Sequence, residues 1–184
     1  MKSRWVWSLV GGLVFSIAGL NADELQLKQE GSSIEFVGSK ADGSHKGGFK
    51  EFQVSAIADF EDPTRSTLNV QIDTTSLWSD DDKLTNHLKS PDFFNVRKYP
   101  SIIFESREIA PHQDSDTPKA TIKGDMQMLG ETVAVEIPIT ATVTEESVEI
   151  VAEFEIDRTK WGMDYGQGKI KNEVKIKAKF QMAR

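Results

Sequence analysis

The run Val148–Asp157, VEIVAEFEID, sets Val148, Ile150, Ala152, Phe154 and Ile156 against Glu149, Glu153, Glu155 and Asp157. Successive residues of a strand point to opposite sides of a sheet, so this is a strand with one buried and one wet face. The closing run behaves the same way: Val174, Ile176, Ala178, Phe180 and Met182 oppose Lys175, Lys177, Lys179 and Gln181. Before Val148, Glu145-Glu146 turns the chain out of a long apolar face made by Val133, Val135, Ile137, Ile139, Ala141 and Val143. Leu129-Gly130 turns it out of another, made by Ile122, Gly124, Met126 and Met128.

The period of two persists upstream. Leu68, Val70 and Ile72 form one face, Val54, Ala56, Ala58 and Phe60 another, and Ile34 with Phe36 a third. Asp62-Pro63 marks a turn, and the Gly-rich Gly43–Gly48 is expected to be a turn or bulge. A further strand is expected near Ser101 to Ile109, followed by a polar loop from Pro111 to Pro118.

One segment breaks the rhythm. In Lys83–Phe104, KLTNHLKSPDFFNVRKYPSIIF, the preceding Ser79-Asp80-Asp81-Asp82 supplies helix caps, so a short helix starts near Lys83. Leu84 and Leu88 give it one apolar edge, and Ser90-Pro91 stops it. With Phe93-Phe94 it makes a lid over the end of a β structure.

Eight or nine one-sided strands joined by short turns predict an antiparallel sheet. Long strands with open edges aggregate, and closure into a barrel removes the edges. An eight-stranded barrel either packs its own side chains or holds one small ligand. The recurrence of Ala, Gly, Met and Thr on the apolar faces favours an elongated apolar interior with room for a ligand.

The first 22 residues stand apart. Lys2 and Arg4 precede an uncharged run, Trp5 to Leu20, and Asn21-Ala22 precedes Asp23-Glu24, the layout of a secretory signal peptide cleaved near Ala22. The expected domains are therefore a signal peptide, 1–22, and one barrel, 23–184. The expected location is periplasmic or secreted, with no stable membrane insertion after cleavage. Without Lys2 and Arg4 the chain carries 20 basic and 29 acidic residues, a formal −9, which argues against nucleic acid as a partner. The chain has no cysteine.

Catalytic chemistry is poorly represented. His45, His87 and His112 sit in three different contexts with no metal-ligand spacing. No nucleophile elbow, phosphate loop or paired-carboxylate motif is present. Asp80-Asp81-Asp82 reads as a helix start rather than a calcium loop. Trp161 is expected to plug one barrel end, with Arg158 paired to a carboxylate. No enzyme activity, cofactor or metal is expected. An outer-membrane barrel would need aromatic girdles, and 2 tyrosines with 4 tryptophans, two of them in the signal, cannot supply them.

The motif H-L-K-S-P-D-F-F-N-V-x-K-Y-P-x-I-x-F, His87 to Phe104, resembles the signature of the YceI-like family of exported polyisoprenoid-binding proteins. Three further stretches are similar to that family, in the same order: Phe36 to Phe49, Phe154 to Met163 and Gly166 to Val174. The resemblance implies an all-β, eight-stranded antiparallel lipocalin-like barrel holding a long-chain isoprenoid lipid, a quinone or its precursor. On that reading the chain is a carrier, and alternation nominates Phe94, Phe104, Val135, Ile137, Ile150, Phe154 and Phe180 as lining. The expected partners are that lipid and, at most, a second copy of the chain in a homodimer. The alternative is a packed barrel acting as an interaction or inhibitor module through its loops.

Overall fold

The computed structural model describes residues 22–112 and 118–184. The signal-peptide reading of residues 1–22 lies outside the described residues except for Ala22, as does most of the polar loop 111–118. Ten strands and one helix follow in order: β1 Ala22–Lys40, β2 Gly43–Phe49, β3 Phe52–Asp59, β4 Thr67–Asp73, β5 Leu77–Ser79, α1 Asp82–Leu88, β6 Ser101–Pro111, β7 Lys119–Met128, β8 Glu131–Val143, β9 Ser147–Asp157 and β10 Glu173–Ala183.

Every pairing is antiparallel, and β10 returns to pair with β1, so the sheet closes. Eight positions go round the barrel because two of them are shared. The first half of β1 pairs with β3 (Ala22 opposite Asp59), and its second half pairs with β2 (Lys40 opposite Gly43). Likewise β4 pairs with β3, and β5 with β2. Thus β2–β3 and β4–β5 are two long strands, each broken once. The β1–β10 register shifts between Lys28 and Ser33. Gly31 takes φ +81° there, and Ser32 Oγ accepts the Gln181 N–H at 2.9 Å, which repairs the ladder across the bulge.

The expected turn at Gly43–Gly48 is instead β2. The chain reverses just before it, at 41–42. Gly47 and Gly48 are buried strand residues because the strands flanking them approach closely. A Cβ on Gly47 would sit 2.5 Å from the Phe36 ring, and one on Gly48 would sit 2.5 Å from the Ile34 carbonyl oxygen. Here glycine serves close packing rather than a reversal.

Charges face outward. Lys175, Lys177 and Lys179 of β10 meet Glu155, Glu153 and Glu149 of β9 at 3.9, 2.6 and 2.8 Å. A lipid-facing barrel wall would not carry this ladder. Inside, the end of the barrel at the start of β1 is filled. Leu25, Ile122, Ile150, Ala152 and Met182 are buried, and the Phe52 and Phe180 rings lie 5.9 Å apart.

The same end is tied by Asp59, whose side chain is 1% exposed. Its Oδ1 accepts the N–H groups of Glu61 and Asp62 at 3.1 and 2.8 Å, and Arg65 Nη2 stands 2.5 Å from Oδ2. The Asp62 N–H leads in holding this carboxyl below its ordinary value; Arg65 adds to it and burial opposes. A depressed folded pKa contributes stability above the unfolded value, near 4, that disappears as the pH falls through the folded value. Asp59→Asn should therefore lower the denaturant midpoint at neutral pH and converge with the parent protein in acid. A gap of constant size down to strongly acidic pH would show that the Asp59 charge is not what matters.

Candidate functional site

The other half of the barrel is hollow. A cavity of about 410 Å³ opens there, within the range that takes a drug-sized molecule. Strand alternation builds its walls. Ile34 and Phe36 come from β1, Phe154 and Ile156 from β9, and Val174 and Ile176 from the facing positions of β10. Phe36, Phe49 and Phe94 form an aromatic group, with centroids 5.9, 6.2 and 5.6 Å apart, on one side. Its Phe49–Phe94 contact is edge-on, as ring quadrupoles prefer.

The roof comes from off-strand segments. Asp81 caps α1 by accepting the Leu84 N–H at 2.7 Å, which directs Leu84 and buried Leu88 onto the cavity. After α1 the chain folds back on itself: Phe94 N–H donates to Leu88 O and Asn95 N–H to Ser90 O, at 3.0 and 2.9 Å. This strap sets Phe93 and Phe94 on the cavity from the same side. The β9–β10 connection supplies the remainder, with Met163, Tyr165 and Ile170. Three rings join the two roof segments. His87 lies edge-on to Phe93 and Tyr165 at 5.0 and 4.9 Å, Phe93 and Tyr165 lie 5.1 Å apart, and Asp92 Oδ2 is 2.9 Å from His87 Nε2.

Polar groups gather at the rim. Lys46 is held by Glu35 at 2.8 Å, and His45 Nδ1 lies 2.9 Å from Asp80 Oδ1. The Lys46 N–H, bonded to Oδ2 at 3.0 Å, is the main cause holding the Asp80 carboxyl below its usual range, with His45 second. Trp161 is buried and donates Nε1–H to Met126 O at 2.9 Å, fastening the β9–β10 connection to β7. Arg158, in the same turn, departs from expectation. It is paired with no carboxylate among the described residues. Its Nε donates to Lys171 O at 3.2 Å and its Nη1 to Met163 O. Asp157 is occupied by the Thr159 N–H and hydroxyl, at 3.0 and 2.7 Å.

Of the residues nominated by alternation, Phe94 and Phe154 border the cavity. Phe104, Ile137, Ile150 and Phe180 are buried in the filled interior, with Val135 partly buried against them, and none of the five borders the cavity. Alternation finds the inward face of a strand but not how far along it the packing stops. It also says nothing of off-strand residues such as Leu84, Met163 and Tyr165.

A family model for the YceI-like domain matches residues 25–182. The chain belongs to the YceI-like family. Among YceI-like relatives, the protein YceI of Escherichia coli O6:H1 is 30% identical over 138 residues, covering 72% of this chain and 69% of that one. A UPF0312 protein of Pseudomonas putida gives the same identity and coverage. Among solved structures, Burkholderia cenocepacia BcnA superposes with a TM-score of 0.77 at 21% identity, covering 86% of this chain and 99% of BcnA. A domain from Saccharophagus degradans described as polyisoprenoid binding gives a TM-score of 0.66 at 11% identity, covering 90% and 99%. At such identities these two establish the YceI-like fold, an eight-stranded antiparallel barrel with one short helix.

Proposed function

We propose that this YceI-like protein is an exported carrier that holds a long-chain isoprenoid lipid, a quinone or its precursor, by the chain in the barrel cavity. The single observation behind this reading is the cavity itself: an apolar space of about 410 Å³, walled by β1, β9 and β10 and roofed by α1 and the strap. A barrel that needed only to present loops would be packed throughout, as it is at its other end. The polyisoprenoid-binding description of the Saccharophagus degradans domain supports the same ligand class. Export rests on the reading of residues 1–22, and fractionation of cells with N-terminal sequencing tests it: Asp23 in the soluble periplasmic fraction is expected, Met1 in washed membranes is not.

Mass spectrometry of organic extracts from the purified protein identifies the lipid directly. A substitution locates it. Ile156 borders the cavity, so Ile156→Trp places an indole in open space. Stability should change by less than about 1.5 kcal/mol, because the ring displaces no packed neighbour. Binding of a short-chain ubiquinone should fall by about tenfold or more, equivalent to about 1.4 kcal/mol. Normal binding by this variant would place the lipid elsewhere.

A further inference from the structure

Charge is divided unequally between the two ends of this barrel. At the filled end, the start of β1 and the turns after β3 and β8 hold Asp23, Glu24, Glu61, Asp62, Glu145 and Glu146 against Arg65, Lys119 and Arg184. Both arginines there are paired, Arg65 with Asp59 and Arg184 with Asp23. At the cavity end the sign reverses. The β9–β10 connection, residues 158–172, carries Arg158, Lys160, Lys169 and Lys171 and a single acid, Asp164. Arg158 is buried, whereas the three lysines are exposed and make no salt bridge among the described residues. Lys40, bridged through its backbone to Ile170 of this connection, is exposed beside them. Of the carboxylates across the mouth, Asp42 meets Lys40, Asp80 meets His45, Asp81 caps α1 and Asp92 meets His87.

Tyr165 belongs to the same connection. Its ring packs against His87 and Phe93 and borders the cavity, yet it stays 46% exposed. Gly166 and Gly168 take φ +69° and +79°, and Gly166 O accepts the N–H groups of Lys169 and Ile170 at 3.0 and 2.9 Å. Through this tight turn Tyr165 and Lys169 flank one loop tip, while Ile170 returns to the cavity. A half-wet tyrosine among exposed lysines is the composition of a surface that meets a bilayer. The ring suits headgroup depth, and the long lysine stems carry their charges to the phosphates. The other exposed large apolar residues, Ile57, Phe60 and Val143, all lie at the acidic end, where anionic headgroups are repelled.

We propose that the cavity end of the barrel docks on a membrane surface bearing anionic phospholipid, with Tyr165 among the headgroups and Lys160, Lys169 and Lys171 on the phosphates. The proposal rests on the lipid-carrier reading for its purpose, since it sets the mouth of the cavity against the bilayer that holds the cargo. The acidity of the whole chain does not oppose it. β10 has 11 residues, so the acidic end lies about 36 Å away, several times the screening length of about 10 Å at about 0.1 M salt. The same separation gives the molecule a polarity that turns its mouth toward a negative surface before contact.

The test is flotation of the purified protein with vesicles of phosphatidylcholine alone or of equal parts phosphatidylcholine and phosphatidylglycerol. At low salt the mixed vesicles should bind about a hundredfold more tightly, at about fivefold per lysine, and high salt should erase the difference. Lys169→Gln with Lys171→Gln should weaken that binding about twenty-fivefold. Lys28→Gln with Lys119→Gln removes the same charge from the filled half and should change it by less than about twofold. Because the chain has no cysteine, single labels report orientation. An environment-sensitive fluorophore on Gln167→Cys should shift to the blue on mixed vesicles, and one on Glu145→Cys should not. Equal binding to both vesicles, equal loss from the two lysine pairs, or a shift at Glu145 overturns the docking surface. If a short-chain ubiquinone still binds in vesicle-free buffer, the carrier reading survives that result. Lysine-dependent docking by a protein that takes no ubiquinone upholds the surface and overturns the carrier reading.

Discussion

Ala152→Trp is expected to destabilise the protein by at least about 3 kcal/mol, and to leave little folded material at physiological temperature. Ala152 is buried in the filled part of the barrel, directly opposite Ala178 on β10 and Ile139 on β8. A small residue faces it on β10 because the interior there has no room for a large one. An indole has to displace Ile139 or the neighbouring Ile150 and Phe180, and interiors at crystal-like density do not yield so much volume. The measurement is a pair of urea titrations, with Ile156→Trp as the second. The two positions lie on the same face of β9, four residues apart, and the same side chain goes into both. A large loss at Ala152 with little at Ile156 maps the boundary between packed and hollow barrel. Equal losses would mean that the cavity collapses around its own walls in solution.

Trp161→Ala carries the second large effect, about 3 to 5 kcal/mol, the usual range for deleting a buried aromatic. Trp161 is 2% exposed, and it is the only link by which the turn after β9 reaches across to the carbonyl of Met126 among the described hydrogen bonds. Removing it opens a void and takes away the tie between the turn and the Met126 carbonyl. The loss should reach the site as well, since Met126, Arg158 and Met163 all border the cavity. Trp161→Phe should recover most of the packing but not the hydrogen bond. If it restores stability completely, the bond to Met126 is dispensable and Trp161 is only a plug.

Sequence patterning reached the closed barrel because each strand carries its own one-sided alternation, and a run such as Val174–Met182 admits no other reading. It also reached α1, since Asp81 caps the helix and Leu84 and Leu88 share an edge. Gly43–Gly48 was illegible for a physical reason: glycine permits both a reversal and a close approach, and only the positions of Phe36, Ile34 and Trp78 reveal which one is used. Of the seven residues nominated as lining, two, Phe94 and Phe154, border the cavity. Phe154 follows from alternation, but Ile150, two positions earlier on the same face, is packed. The depth at which filling stops is a property of eight strands together, and no single strand records it. Arg158 reads as half of an ion pair because buried arginines usually are; its place is taken by the carbonyls of Met163, five residues on in the same turn, and of Lys171, at the far end of the β9–β10 connection.

The pairing of β1 with β10 bears on how the chain is made. Gln26 lies opposite Ala183 and Val37 opposite Lys175, so the seam joins the first strand to the last. While the polypeptide emerges in order, β1 has only β2 and β3 for company, and one of its edges waits unpaired until Glu173–Ala183 has been synthesised. Contacts so distant in sequence make folding slow, and they expose a long strand edge in the meantime. The seam can therefore close only once the last strand is available. A ribosome stalled before residue 173 would release a chain with two open edges, a species prone to self-association.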